Sequence, residues 1–196
     1  MRITGGIGIL TILLLSGALF SATAQGTKTK VKALIVSQAY CLSTGGELET
    51  RHPVYGTNNS SQNWLQLAGQ EGFCQYTQAS DGSRIHVSLG TLTTTLPTLA
   101  ALAYYAQTPP QNGQGNPASV YCSQLGGSDL FGGINAAGGG WVELNTTDVV
   151  LEACIFPDNS TIDSWGLFYH SAGIIRGIDL STVLKYQNPY AKTKNK

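Results

Sequence analysis

Apolar positions change period several times along the chain, and each change marks an element. Ile7 to Phe20 is almost continuously apolar, preceded by Arg2 and followed by Ala22-Thr23-Ala24. A positive start, an apolar run short of the ~20 residues of a membrane span and a small-x-small end describe a secretory signal peptide over residues 1–24. Val31–Val36 follows as an apolar lead-in. Ser37–Thr44 predicts a short helix that stops at Gly45-Gly46, where glycine takes the left-handed cap position at little cost. Glu47–Arg51 alternates and predicts an edge strand, while Pro53, Gly56, Asn58 and Asn59 predict a loop over residues 52–62. Burial is expected to resume at Trp64, Leu65, Leu67 and Ala68. Phe73–Tyr76 and the alternating Ile85, Val87 and Leu89, joined through Asp81-Gly82, predict a hairpin. Leu92–Gln107 is the strongest helical stretch, with Leu96, Leu99, Ala100 and Ala103 at helical spacing and Pro97 in the first turn. It reads as a packing helix.

Residues 108–115, rich in proline and glycine, read as a linker. A second helix then opens with Asn116 as N-cap and Pro117 at the first position. Ala118, Tyr121, Cys122 and Leu125 share one face, which points Cys122 inward, and Gly126-Gly127 stops the helix. Ser128–Gly140 is glycine-rich and expected to be mobile. Trp141–Asn145 and Val149–Phe156 predict strands, Pro157–Ser160 a turn, and Ile162, Trp165, Leu167 and Phe168 a return to the core. Ile174–Tyr186 suits a final strand or a short helix.

The two halves repeat one plan. With Tyr40-Cys41 placed on Tyr121-Cys122, Gly45-Gly46 falls on Gly126-Gly127. Trp64 and Leu67 match Trp141 and Leu144, and Cys74-Gln75-Tyr76 matches Cys154-Ile155-Phe156. With a short gap, Asp81–Ile85 matches Asp158–Ile162. This common order predicts a duplication. The fold class is α+β: two small units, each a short helix on a small antiparallel sheet, over residues 25–107 (first unit plus packing helix) and 116–190, with a basic tail at 191–196.

The four cysteines, Cys41, Cys74, Cys122 and Cys154, allow three pairings, and the repeat selects Cys41–Cys74 and Cys122–Cys154. Each bridge closes a loop of a little over thirty residues, worth roughly 3–4 kcal/mol in the chain-entropy model. Such bridges belong to an exported protein, secreted or periplasmic. No two cysteines stand at zinc-finger spacing. Charged residues make up 11% of the chain, against about a quarter in typical soluble domains. Lys28, Lys30 and Lys32 stand at one end and Lys192, Lys194 and Lys196 at the other, leaving an acidic body. That balance argues against nucleic acid, whose phosphates need a basic face.

Asn116-Pro117-Ala118, Tyr121-Cys122, Gly126-Gly127, Cys154, Pro157-Asp158 and Trp165 together resemble a family of small exported bacterial domains of unknown function that often carries a haemolysin label. Asn159 stands where the family usually has glycine, and the extra cysteines of many members are missing. The resemblance implies a compartment and a fold type but no activity. The label implies membrane damage, yet after the leader no long amphipathic or apolar segment is expected, and no integral membrane segment.

Candidate chemistry is sparse. His52, His86 and His170 do not stand at metal-ligand spacing, and no G-x-S-x-G or phosphate-loop motif occurs. Glu47 with Glu49, or Asp158 with Asp163, offers acid–base pairs of a kind also common on ordinary surfaces, and Asp158 reads as a turn former. No catalytic, metal or cofactor site is expected. The preferred reading is a non-enzymatic module that binds a protein or cell-envelope partner through its Gly- and Asn-rich loops, one version being an inhibitor of a foreign hydrolase. The alternative is a small secreted hydrolase with a non-local site using His170 or His52.

Overall fold

The computed structural model describes residues 19–129 and 137–188, with side chains described from residue 29. It divides into Met1–Ala33, helical from Leu19, and a body beginning at Leu34. The first helix, α1, runs Leu19–Ser43, so the apolar lead-in is helical rather than a separate stretch. Val31, Leu34, Ile35 and Val36 are exposed on it, Ile35 by 58%. Among the described residues, no helix is long and apolar enough to cross a membrane.

The body is α+β. Among the described residues, seven strands form one antiparallel sheet: β1 (Glu47–Tyr55), β2 (Leu65–Gln66), β3 (Glu71–Thr77), β4 (Arg84–Ser88), β5 (Gly139–Glu143), β6 (Ala153–Ile155) and β7 (Thr161–Asp163). The order is β2-β1-β3-β4-β7-β6, with β5 on β1. Strand β1 is a hub rather than an edge: Glu47–Arg51 pair with β3, Arg51–Tyr55 with β5, and Val54–Tyr55 with β2. The loop expected from residue 52 thus begins only after Tyr55. Pro53 is tolerated in the strand because it surrenders only a donor, while its carbonyl accepts the Leu67 N–H at 2.8 Å. Leu65 is 61% exposed and Leu67 is also exposed, so burial does not resume there as expected.

The repeat is visible in the pairing. In the first unit Cys74 on β3 faces Val87 on β4, and in the second Cys154 on β6 faces Ile162 on β7. Val87 and Ile162 also pair with each other across the junction of the units. The structural equivalent of Ile162 is therefore Val87, two residues beyond the Ile85 that sequence matching selects. The Ser128–Ile155 bridge likewise repeats the Glu47–Gln75 pair.

Helices complete each unit. Leu92–Gln107 is two helices, α2 (Leu89–Thr93) and α3 (Leu99–Ala106). Pro97 does not open a helix. It stands before Thr98, which is itself extended and caps α3 by accepting the Ala101 N–H. Helix α2 has a counterpart in the second unit: α5 (Ser164–Ser171) follows β7 as α2 follows β4. Ser88 caps one by accepting from Thr91 N–H, and Asp163 caps the other by accepting from Gly166 N–H. Helix α4 (Pro117–Gln124) begins as expected, with the Asn116 side chain accepting from the Ala118 N–H. The stretch 174–186 holds only a 3-10 turn at Leu180–Thr182. Residues 130–136 lie outside the described residues, and Gly139-Gly140 of the expected mobile segment belong to β5. The linker is held along α4: the Tyr121 hydroxyl donates to the Thr108 carbonyl at 2.6 Å and Gln124 Nε2 to the Pro109 carbonyl at 2.8 Å.

One sheet face carries the main core, with Tyr76, Ile85, Val87, Ile162, Leu167 and both disulfides. The bridges are Cys41–Cys74 and Cys122–Cys154, each tying the end of a helix to a strand. The two glycines after each helix have different duties. Gly45 and Gly126 both have φ +84° with open space around them, the left-handed cap. Gly46 and Gly127 lie against the bridges, and a Cβ there would overlap the Cys74 and Cys154 sulfurs respectively.

This division predicts unequal damage. Gly45→Ala should lose about 1–2 kcal/mol, the penalty of a left-handed L-residue. Gly46→Ala must displace the bridge or the helix and should lose about 3 kcal/mol or more, the scale of the bridge itself. Urea unfolding of the oxidised proteins checks this, and equal losses would refute the assignment.

Candidate functional site

The opposite sheet face is polar where it meets the segment between β5 and β6. Alternation along β1 places Glu47, Glu49 and Arg51 on this side, with Gln75 and Phe73 of β3, His86 and Ser88 of β4, and Asp163 of β7 in register beside them. Arg51 is 1% exposed, an unusual burial for arginine. Its guanidinium donates to Glu49 Oε2 (2.6 Å), to the carbonyls of Trp141 and Val149 (both 3.1 Å) and to Asp148 Oδ2 (3.1 Å). Removing one partner of such a buried pair typically costs about 3–5 kcal/mol, because a charge is left uncompensated. Phe73, Leu151, Ala153 and Trp141 form a small apolar cluster alongside.

His86 is the second buried node. Nδ1 faces Asp163 Oδ2 at 3.3 Å, and Nε2 faces Gln75 Oε1 at 2.9 Å and Glu49 Oε2 at 3.3 Å. Gln75 Nε2 in turn donates to Glu47 Oε2 at 3.2 Å. Burial alone would lower the imidazole pKa, but hydrogen bonds and charges from Asp163 and Glu49 outweigh it and raise the pKa above 6.5. Burial would raise Glu49, but His86 and Arg51 hold it down to about 2. Both ring nitrogens thus face oxygen acceptors, the environment of an imidazolium with no lone pair to offer.

Beside these groups opens a cleft of about 280 Å³, lined among others by Arg84, His86, Val150, Glu152, Trp165 and Arg176. Glu152 receives both its short bonds from Asn116 Nδ2, at 2.7 and 2.8 Å. Burial, then the Asp129 charge, raises its pKa. The motif residues Asn116 and Trp165 therefore reach the cleft, one through Glu152 and one directly. The other motif residues are structural. Ala118 and Tyr121 are buried in α4, and Asn159, at φ +62°, turns the chain beside Pro157. Asp158 accepts from Leu99 N–H at 2.8 Å and from Ser160, fixing the start of α3. It does not pair with Asp163, which caps α5.

The other two histidines do not line the cleft. His52 is buried in β1, and His170 stacks on Tyr104 with ring centroids 3.7 Å apart. Burial lowers the His170 pKa. Glu49 is not ordinary surface, contrary to the sequence reading. The network around Arg51 is absent from that reading, although the alternating Glu47, Glu49 and Arg51 in a charge-poor chain was its signal. No group of three or more His, Cys, Asp or Glu side chains among the described residues could hold a metal ion.

These features define a two-unit, disulfide-braced α+β protein with a polar cleft built by both units. The chain is 39% identical over 70 residues to the uncharacterized protein YoaF of Escherichia coli K12, a match covering 35% of this chain and 69% of YoaF. The YoaF proteins of Escherichia coli O6:H1 and Shigella flexneri match to the same extent. The chain belongs to the YoaF family. No family profile and no solved structure matches it.

The ion network sets a pH dependence. His86 has a raised pKa, so its contribution is complete below 6.5 and is lost as pH rises through the folded value. Glu49 has a lowered pKa, so its contribution is complete above 4.5 and is lost as pH falls toward about 2. Stability measured by urea unfolding should fall from pH 6.5 upward, and His86→Gln should lack that alkaline fall. A wild-type profile that is flat there would contradict the imidazolium assignment.

Proposed function

We propose that the protein is an exported, extracytoplasmic binding module without catalytic activity of its own, acting on a protein or cell-envelope partner. The observation that carries this reading is the state of the cleft's ionisable groups. His86, Glu49, Arg51 and Asp163 form one bonded network, and both ring nitrogens of the imidazole are taken by oxygens of the protein itself. General-base catalysis needs a free lone pair within reach of the proton it removes. The hydrolase alternative through His52 or His170 loses support for a related reason: both rings are packed into the body away from the cleft.

Two further features support the compartment. Both pairs of cysteines form bridges, which persist in oxidising surroundings. The apolar run at Ile7–Phe20 has the form of an export signal. Membrane lysis, which the haemolysin label would bring, is not part of this reading.

Affinity capture from envelope extract tests the proposal, with Trp165→Ala as the comparison. Wild type should retain a defined set of components that the variant loses. Retention of nothing, or turnover of ester, peptide or glycan substrates that His86→Gln abolishes, would overturn it.

A further inference from the structure

We infer that the cleft receives the carboxyl-terminal end of a peptide, with the terminal carboxylate held by Arg84 and Arg176. This rests on the binding-module reading above and names the ligand for it. Arg51 is matched by Glu49 and Asp148, and His86 by Glu49 and Asp163. Arg84 and Arg176 line the same cleft, and neither forms an ion pair among the described residues.

Arg84 and Arg176 line the cleft from neighbouring segments. Arg84 opens β4, next to the turn at Ser83, and Gly177, the neighbour of Arg176, donates its N–H to Ser83 Oγ at 3.3 Å. Arg176 is held by its cation–π contact with Tyr169, 5.1 Å from the ring centre, and its Nε is buried with no hydrogen-bond partner. Arg84 has one long contact, to Gln75 Oε1 at 3.5 Å. Asp81, on the same turn, spends Oδ1 on the Ser83 N–H at 2.9 Å. Arg176 attracts the exposed Asp81 carboxylate through space, but neither guanidinium holds a carboxylate at ion-pair distance, and a guanidinium in that state suits one.

The remaining lining says what carries the carboxylate. Leu151 directs its N–H and C=O to Trp141 at 2.8 and 2.9 Å, so strand alternation turns those of Val150 the other way. The Glu152 carbonyl, on that same side, accepts the Ser164 N–H at 2.9 Å, whereas the Val150 N–H and C=O have no bonded partner among the described residues. A free N–H and C=O on an extended segment is what an added strand pairs with. Trp165 supplies an aromatic wall for a side chain. The Glu152 carboxylate is held by Asn116 Nδ2 at 2.7 and 2.8 Å. A volume of about 280 Å³ lies just below the ~300–1,000 Å³ of ligand pockets, enough for the end of a chain but not a length of it.

The test titrates isotope-labelled protein, followed by amide and indole NMR shifts, with three probes. These are a pool of N-acetylated tripeptides with free carboxylates, the same pool as carboxamides, and sodium acetate. The free acids should shift Val150, Gly177 and the Trp165 indole and bind at least tenfold more tightly than the amides. Arg84→Gln and Arg176→Gln should each weaken the acids about tenfold and leave amide binding unchanged. Arg84 is exposed, so its variant keeps the test valid if Arg176→Gln folds poorly. Equal binding of acids and amides, no shift with any peptide, or the same shifts with acetate at the same concentration would overturn the inference. Mass spectrometry of the recovered peptides separates the two readings. Cleaved peptide would sink the non-enzymatic module, whereas intact peptide without carboxylate preference would sink only the terminus site.

Discussion

Everything in the body hangs on a sulfur bridge laid against a glycine with no room for a side chain. In both units a helix ends in a left-handed glycine, and the next residue must be glycine because the bridge occupies the space a Cβ would need. The backbone hydrogen bonds close the same way: Gly46 N–H donates to the Cys41 carbonyl and Gly127 N–H to the Cys122 carbonyl, each at 3.0 Å. The chain therefore reverses tightly over the bridge and enters the sheet in fixed register. A unit this small buries a modest core, and a brace of roughly 3–4 kcal/mol is a large share of a typical ~5–15 kcal/mol total. Both bridges are fully buried, so they also serve as core.

The bridges hold each unit, and different forces hold the units together. The direct strand contact between β4 and β7 is a single residue pair, Val87 with Ile162. The wider contact is β5, which leaves the second unit to pair with the far half of β1. Arg51 lies on β1 where that pairing begins, and it gathers carbonyls and a carboxylate from residues 141–149. His86 does the same between β4 and Asp163, which also caps α5. Apolar packing supplies the bulk of the core on one face, while ion pairs fix the alignment of the units on the other.

The parts legible in the sequence are those set by local chemistry. The helix stops, the N-cap at Asn116, the hairpin at Asp81-Gly82 and both bridges depend on residues close in sequence or on the repeat. The errors lie where partners are remote. Pro53 reads as a breaker until a neighbouring strand supplies its pairing, and Leu92–Gln107 reads as one helix because periodicity outlasts the interruption before Thr98. Alternation marks Glu49 and Arg51 as one face of a strand. Only the arrival of residues 141–149 makes that face an interior, so neither the buried network nor the cleft could be read from β1 alone.

The cleft is composite, and this limits what the YoaF likeness can carry. Arg84 and His86 come from the first unit, and Glu152, Asp163, Trp165 and Arg176 from the second. The matched segment is 70 residues, 35% of this chain, too short to take in both units, so the likeness does not carry a surface that needs two. Divergence between the copies points the same way. The N-cap Ser88 of one unit corresponds to Asp163 in the other, and only the carboxylate can pair with His86. The capping duty was kept in both copies, and the charge was placed in the copy where it reaches across the junction. Two equivalent frames that differ at such positions together present a polar surface that neither has by itself.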